Sequence, residues 1–258
     1  MQLTSTKNPL LQKIRLAAAA GRPTEDGFVI AEGPHLLEEA LRGAWRIERV
    51  LTTASGRERH FNLLSRVEAE IVELSSRAFA SIAATETTQE VLMLMRPPTW
   101  SWADLVPSPA LVVALDGIQD PGNVGAIVRS AEAFGATGVV FLRGCARVPN
   151  AKLLRATVGS IFRLPFLEGL TVAEFVEQIR LSVLTLYALT PHAATGLLKA
   201  DLRHGCALAI GSEGAGVSAE LLFEANLLSI PTAGVESLNA AIACSIALFE
   251  AQRQRAGL

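Results

Sequence analysis

Six apolar runs mark the second half of the chain: Leu111–Leu115, Gly138–Leu142, Phe162–Phe166, Val183–Leu189, Cys206–Ile210 and Leu227–Ile230. They are strand-length, and polar residues do not alternate through them. Continuous hydrophobicity of that kind suits strands buried on both faces of a sheet. Segments with helical spacing of apolar residues stand between most of them: Asn123–Phe134, Ala151–Val158, Val172–Arg180, Ala219–Glu224 and Ser237–Arg253. Strand–helix alternation predicts an α/β fold, a parallel sheet with helices on both sides.

The first half alternates less regularly. Asn8-Pro9 supplies a helix cap followed by a proline at the first helical position, and Gly21 closes that helix. Phe28–Ala31 reads as a buried strand, and Gly33-Pro34 opens a helix that ends near Gly43. Ile47–Leu51, Ile71–Leu74 and Val91–Met95 follow as strands, giving a small α/β domain. Pro97, Pro98, Pro107 and Pro109 then crowd a short span containing Trp100 and Trp102. Proline neither continues a helix nor fills a central strand, so the span reads as a linker. The expected division is 1–96, a linker at 97–109, and 110–258.

Composition narrows the class. Half of the 258 residues are hydrophobic, which supports a proper core and excludes low-complexity disorder. Lys+Arg is 23 against Asp+Glu 25, so the chain lacks the globally basic signature of a nucleic-acid protein. A local basic face stays open: residues 1–22 carry Lys7, Lys13, Arg15 and Arg22 and no acid. Arg42, Arg46, Arg49, Arg57 and Arg59 extend it, with Glu48 and Glu58 intervening. Cys145, Cys206 and Cys244 lie far apart, which argues against a disulfide framework and for a reducing, cytoplasmic setting. The start, Met1-Gln2-Leu3-Thr4, has no leader pattern, and the most apolar window, Ser237–Phe249, is too short to cross a bilayer. His35, His60, His192 and His204 are scattered, so no metal is expected.

Three glycine-containing stretches follow predicted strands: Asp116–Gly125, Gly211–Gly216 and Pro231–Asn239. In open parallel sheets the ligand crevice lies at that edge. Neither a Walker P-loop nor the G-x-G-x-x-G fingerprint occurs, and none of the three stretches contains lysine. A nucleoside-like ligand without phosphates fits better, and S-adenosylmethionine is one.

Asn123-Val124-Gly125-Ala126-Ile127-Val128-Arg129-Ser130-Ala131 resembles the first motif of the SpoU (TrmH-type) RNA ribose 2'-O-methyltransferases. Ile210–Gly216 resembles the second motif, and Leu228–Pro231 through Glu236–Asn239 the third. Ser5–Pro9 and Ile30–Gly33 are similar to the substrate-binding domain of the ribosomal RNA members. The resemblance implies a parallel-sheet SPOUT domain with a C-terminal trefoil knot, preceded by a small α/β substrate-binding domain of L30e-like type. It also implies a homodimer, S-adenosylmethionine as cofactor and RNA, ribosomal RNA first, as substrate. By motif position Gly211, Ile230 and Leu238 contact the cofactor, joined by Leu189 and Thr190 at the end of the preceding strand. Asn123, Arg129, Glu213, Ser237 and Asn239 form the polar catalytic set. Thr232 and Ala240-Ala241-Ile242 depart from the third motif, where the family carries Met and a Val-Ser-Val run. A non-catalytic RNA-binding protein on the knotted dimer, or a tRNA enzyme, remains an alternative.

Each residue also has a plainer reading. Asn123, Ser237 and Asn239 are good helix caps. Glu213 could satisfy loop amides. Arg129 lies in an apolar helix, where a guanidinium needs an ion pair if buried. Asn123 and Arg129 are six residues apart, about 240° around an α-helix, so helical spacing alone does not bring them together. Arginine is essentially never deprotonated, so a charge-stabilising role suits Arg129 better than that of a base. Proton removal then falls to a phosphate oxygen, a water or Ser237.

Overall fold

The structure, a computed structural model, describes residues 2–84 and 88–257. Met1, on which the reading of the start partly rests, lies outside them. The chain forms two compact units. One holds the residues up to Thr99 together with Arg147–Arg163; the other holds Trp100–Ala146 and the chain from Leu164 onward.

The first unit runs β1 (Gln2–Leu3), α1 (Pro9–Ala20), β2 (Val29–Glu32), α2 (Pro34–Ala40), β3 (Arg46–Thr53), α3 (Ala54–Arg59), α4 (Phe61–Leu64), β4 (Glu70–Leu74), α5 (Ser76–Ala80) and β5 (Val91–Arg96). Its sheet has the order β1-β4-β3-β5-β2. β1, β4 and β3 are parallel, and β5 runs antiparallel to both β3 and β2. Local chemistry sets α1: Asn8 Oδ1 accepts from the Leu10 N–H at 2.9 Å, and Pro9 opens the helix. Gly21 closes it at φ 57°, in the left-handed region that glycine enters without strain. Leu11 and Ile14 on α1 pack into a core with Leu51, Leu74, Leu92 and Leu94 from the strands.

The second half of the chain runs α6 (Trp102–Leu105), β6 (Leu111–Asp116), α7 (Pro121–Ala133), β7 (Gly138–Leu142), α8 (Ala151–Ala156), β8 (Phe166–Leu170), α9 (Val172–Leu181), β9 (Thr185–Leu189), β10 (Cys206–Gly211), α10 (Ala219–Glu224), β11 (Asn226–Leu228) and α11 (Ala240–Arg255). Six of these strands form a wholly parallel sheet in the order β11-β9-β10-β6-β7-β8. β6 and β7 are buried along their full length, which accounts for their unbroken apolar runs. From β6 the chain moves outward through β7 to β8, then returns to fill the other side. The switch point therefore lies between β6 and β10, where a parallel sheet opens a crevice at its carboxyl edge.

Three expectations need correction. Phe162–Phe166 is not a strand: Ser160–Phe162 is a 3-10 turn behind Gly159 (φ 87°), and the strand is Phe166–Leu170. Ile161 and Phe162 owe their apolar character to burial in the first unit, where Phe162 packs edge-on against Trp45. As the sheet's edge strand, β8 tolerates Glu168 and Gly169, which obscured it in the sequence. The proline-rich span read as a linker is not wholly irregular, because α6 lies within it, opened by a Ser101–Asp104 capping box. Trp102 Nε1 donates to Ser182 Oγ at 2.6 Å, and Leu105 is fully buried. Finally, α8 clusters with the first unit, although its sequence stands between two strands of the second.

Candidate active site at the carboxyl edge of the parallel sheet

The loops after β6, β10 and β11 meet at one edge. At the end of β10 the chain doubles back so tightly that Ser212 and Gly216 form an antiparallel bridge. A Cβ on Gly211 would lie 2.0 Å from the Gly216 carbonyl carbon, so only glycine fits there. Asp116, at the end of β6, holds the far end of this loop: its Oδ2 accepts from the Ser218 N–H at 2.7 Å. Asp116 is 9% exposed, and a carboxylate ending an otherwise apolar strand was a signal that the motif reading passed over.

One cleft opens beside that loop, about 670 Å³ when the open space at its mouth is included. Leu189, Thr190, Gly211, Ile230 and Leu238 all line it, together with Ser212, Glu213, Glu236 and Ser237. Its wall carries two carboxylates, Glu213 and Glu236, and no lysine, arginine or histidine. A second, more open hollow shares Ser212, Glu213 and Gly216 with the cleft and adds Asp116, Asp120 and Asn123.

Between the two hollows stands a triangle of polar side chains. Asn123 Nδ2 donates to Glu213 Oε1 at 3.1 Å, and Asn239 Nδ2 donates to Asn123 Oδ1 at 3.0 Å. Asn239 Nδ2 also donates to Glu213 Oε1. Glu213 thus accepts from both amides and ties the β10 loop to the starts of α7 and α11. Asn239 does two things at once, because its Oδ1 also caps α11 by accepting from the Ala241 and Ile242 N–H groups. Asn123 is not a cap. Asp120 takes that place, accepting from the Asn123 N–H at 2.9 Å ahead of Pro121 at the first helical position. Asn123 sits in the first turn, which frees its side chain for the triangle.

Ser237 lies exposed on the cleft wall and caps nothing. Arg129 is the outlier. It is exposed on α7, lines neither hollow, and is paired with no carboxylate among the described residues. The plainer reading of Arg129, a buried ion pair, is not met among the described residues, because the helix turns Arg129 away from its buried neighbours Ile127 and Val128. α7 packs on α11, where Ser130 and Ser245 share a 2.7 Å hydrogen bond. Ile242, Ile246 and Phe249 of α11 stay 53%, 37% and 53% exposed. Cys145 lies beneath the β6 loop, donating to the Leu115 carbonyl at 3.1 Å. Burial, with Asp116 adding to it, pushes its thiol up, so it is no nucleophile. No cluster of three metal-ligating side chains occurs among the described residues, and none of their helices is long and apolar enough to cross a membrane.

The SpoU rRNA Methylase family model matches residues 110–249, and the MRM3-like substrate binding domain model matches residues 8–93. An uncharacterized tRNA/rRNA methyltransferase of Synechocystis is 33% identical over 98% of this chain and 94% of its own length. The 23S rRNA (guanosine(2553)-2'-O)-methyltransferase RlmP of Bacillus subtilis is 30% identical over 96% of this chain and 98% of its own. Among solved structures, the AdoMet-bound rRNA methyltransferase from Sinorhizobium meliloti superposes with a TM-score of 0.86 at 29% identity, covering 98% of this chain and 97% of that one. The SpoU methyltransferase AviRb from Streptomyces viridochromogenes, in complex with AdoMet, gives 0.87 at 26% identity, covering 97% and 100%.

Proposed function

Because the chain belongs to the SpoU rRNA methylase family, we propose that it methylates a ribose 2'-hydroxyl in RNA, ribosomal RNA first, with S-adenosylmethionine held in the cleft. One observation carries the reading: apolar side chains, backbone groups and two carboxylates line the cleft, and no cation does. Such a wall repels a polyphosphate and suits a ligand bearing a positive sulfur. Gly211, Ile230, Leu238, Leu189 and Thr190 are the residues that would hold it. Bound there, S-adenosylmethionine supplies a methyl group activated by its sulfonium.

The chain's own residues divide the remaining work. Asn123, Glu213 and Asn239 lock three loops together, so the cleft and the open hollow keep a fixed relation. In this reading the hollow receives the target nucleotide. Arg129 stays charged, holding a neighbouring phosphate and stabilising the alkoxide as it develops. Proton removal falls to a phosphate oxygen, a water or Ser237, which lies on the cleft wall. Arg129 reaches neither hollow in its own chain, so its role requires a second copy docked on the α7–α11 face. The exposed Ile242, Ile246 and Phe249 support a homodimer there. The return of α11 across β10 to pack on α7 supports the trefoil knot. A cytoplasmic setting follows from the RNA substrate and the free thiols.

The test is calorimetric titration with S-adenosylmethionine, followed by mapping of 2'-O-methyl positions in RNA from cells with and without the gene. The wild type should bind the cofactor without RNA. Gly211→Val, whose side chain cannot fit against Gly216, should weaken binding roughly 10–100-fold while the thermal transition survives. Unchanged affinity in a folded Gly211→Val variant would place the cofactor elsewhere. Cofactor binding with no methyl transfer to any RNA would leave a non-catalytic RNA-binding protein.

A further inference from the structure

The basic residues of the first unit divide sharply once their partners are known. Arg42 pairs with Glu38 and Glu39, Arg46 with Glu48, Arg49 with Glu70, Arg57 with Glu73, Arg59 with Glu90 and Lys13 with Asp26. The face read from Arg42 to Arg59 is therefore a mixed-charge surface, with little field left for a partner. Arg15 is turned inward on its own chain, donating to the Thr6 carbonyl at 2.8 Å.

The segment Arg147–Arg163 behaves differently. It brings Arg147, Lys152, Arg155 and Arg163 into the first unit and contains no Asp or Glu. Arg163 is engaged by Glu39 at 2.6 Å. Arg147, Lys152 and Arg155 are exposed, and Lys152 and Arg155 share a face of α8 by their three-residue spacing. Arg22 joins them, since it lines the same small cavity as Pro149 and Ala151. Its backbone is fixed just past the Gly21 cap, with the Arg22 N–H donating to the Ala17 carbonyl at 3.1 Å. No carboxylate pairs with Arg22, Arg147 or Arg155 among the described residues. Glu32, the acid in the cavity wall, is buried and accepts from the Ala84 N–H at 2.6 Å. Of the remaining cations of this unit, Lys7 precedes α1, at the end opposite Arg22, Arg66 follows α4 and Arg77 lies on α5.

We infer that Arg22, Arg147, Lys152 and Arg155 form a phosphate-binding surface on the first unit that docks the backbone of the substrate RNA. The inference rests on the proposed RNA methyltransferase activity and deepens it. The surface that reads RNA is not confined to the N-terminal part of the sequence, but is completed by a segment lying between β7 and β8. Arginine at three of the four positions suits phosphate, whose oxygens its planar fork engages two at a time. Contacts of this kind position the nucleic acid without reading its sequence, and each releases about one counterion when it forms.

The experiment measures binding of a labelled RNA hairpin to the full-length protein across a range of salt, with S-adenosylmethionine affinity and melting temperature followed in parallel. The combined variant Arg22→Gln, Arg147→Gln, Arg155→Gln should flatten the slope of log affinity against log salt by about 2–3 and lose about tenfold or more in low-salt affinity. Cofactor affinity and melting temperature should hold. The charge-preserving set Arg22→Lys, Arg147→Lys, Arg155→Lys should restore most of the slope, which a merely structural role would not do. A control set, Arg42→Gln, Arg49→Gln, Arg57→Gln, removes as many charges from paired positions and should leave the slope near wild type. A steep wild-type slope retained by the first set, or lost equally in the control, would overturn the surface and leave the RNA reading intact. A wild type that binds RNA at no salt would remove both. Binding to phosphatidylserine vesicles that the first set abolishes, with RNA affinity unchanged, would reassign the surface to a membrane.

Discussion

The two units of this chain are specified in different ways. In the six-stranded unit every strand runs the same direction, so all strand ends that matter for chemistry fall on one edge. Nearby residues do most of the positioning: Asp120 caps α7, Asn239 caps α11, and Gly211 lets its loop fold back. The five-stranded unit mixes directions and is completed from far along the sequence. α8 lies on β2, and the Ala44 N–H donates to the Phe162 carbonyl at 2.7 Å. One unit can be understood segment by segment; the other cannot be understood without residues 147–163.

The sharpest way to break that contrast is to cut the chain in its proline-rich span. A fragment of residues 110–258 would carry Leu153, Leu154, Ile161 and Phe162, all fully buried in the intact protein, without the unit that buries them. At about 1.5–3 kcal/mol per large side chain, the loss is roughly 6–12 kcal/mol of burial. That is comparable to the whole stability of an ordinary domain. The fragment should bind a hydrophobic dye, lose a cooperative melt and aggregate, although its sequence alone suggests an autonomous, dimeric, cofactor-binding domain. A monodisperse fragment with full cofactor affinity would show that the excursion is incidental.

The sequence was informative where side-chain pattern and structural role are both local. The apolar runs of β6, β7 and β10 and the Asn8 cap are found within a residue or so of their expected places. The five residues read as cofactor contacts share one cleft, because motif order places them at neighbouring strand ends. What misled was any residue whose burial is long-range. Phe162 reads as the start of a strand, since an apolar residue carries no label for the unit it enters. The resemblance groups Glu213 with Asn123 and Asn239, but the hydrogen bonds that join its carboxylate to both amides are not legible in the residues, because they depend on three turns meeting in space. Arg129 looked buried from its neighbours in sequence, whereas helix geometry turns it outward.

A second test stays within the six-stranded unit and asks whether its chemistry is confined to the strand ends. If Arg129 acts by charge on the substrate, Arg129→Ala should lower single-turnover methyl transfer by on the order of 10²–10³. Arg129→Lys keeps the charge but loses the planar fork, so it should fall between Ala and wild type at every pH. Cofactor affinity should hardly change, since Arg129 is not on the cleft wall. A lysine variant that approaches or passes wild type as pH rises would instead indicate proton abstraction at this position. An alanine variant as fast as wild type would confine the chemistry to the strand ends after all.

The smallest effect concerns how the C-terminal helix is anchored. Glu250, only 5% exposed, accepts from Arg253 Nε and Nη2, each at 2.8 Å, and from Gln254 Nε2 at 2.8 Å. Gln254 in turn donates to the Ala200 carbonyl and accepts from the Leu202 N–H, fastening α11 to the chain between β9 and β10. The Arg253 hydrogen bond, aided by Gln254 against the opposing effect of burial, holds the Glu250 carboxyl below its ordinary value. A carboxyl depressed in the folded state contributes stability above its unfolded pKa, near 4.3, and loses it as pH falls through the folded value. Glu250→Gln removes the charge and the titration together. Its melting temperature at neutral pH should drop by a few degrees, corresponding to about 1–2 kcal/mol. As pH falls below the ordinary carboxylate value and through the lower folded one, the two proteins should converge, because wild-type Glu250 is then losing the same charge. If the deficit is instead constant from pH 7 to 3, the ion pair is not what the substitution removed, and α11 is held by packing alone.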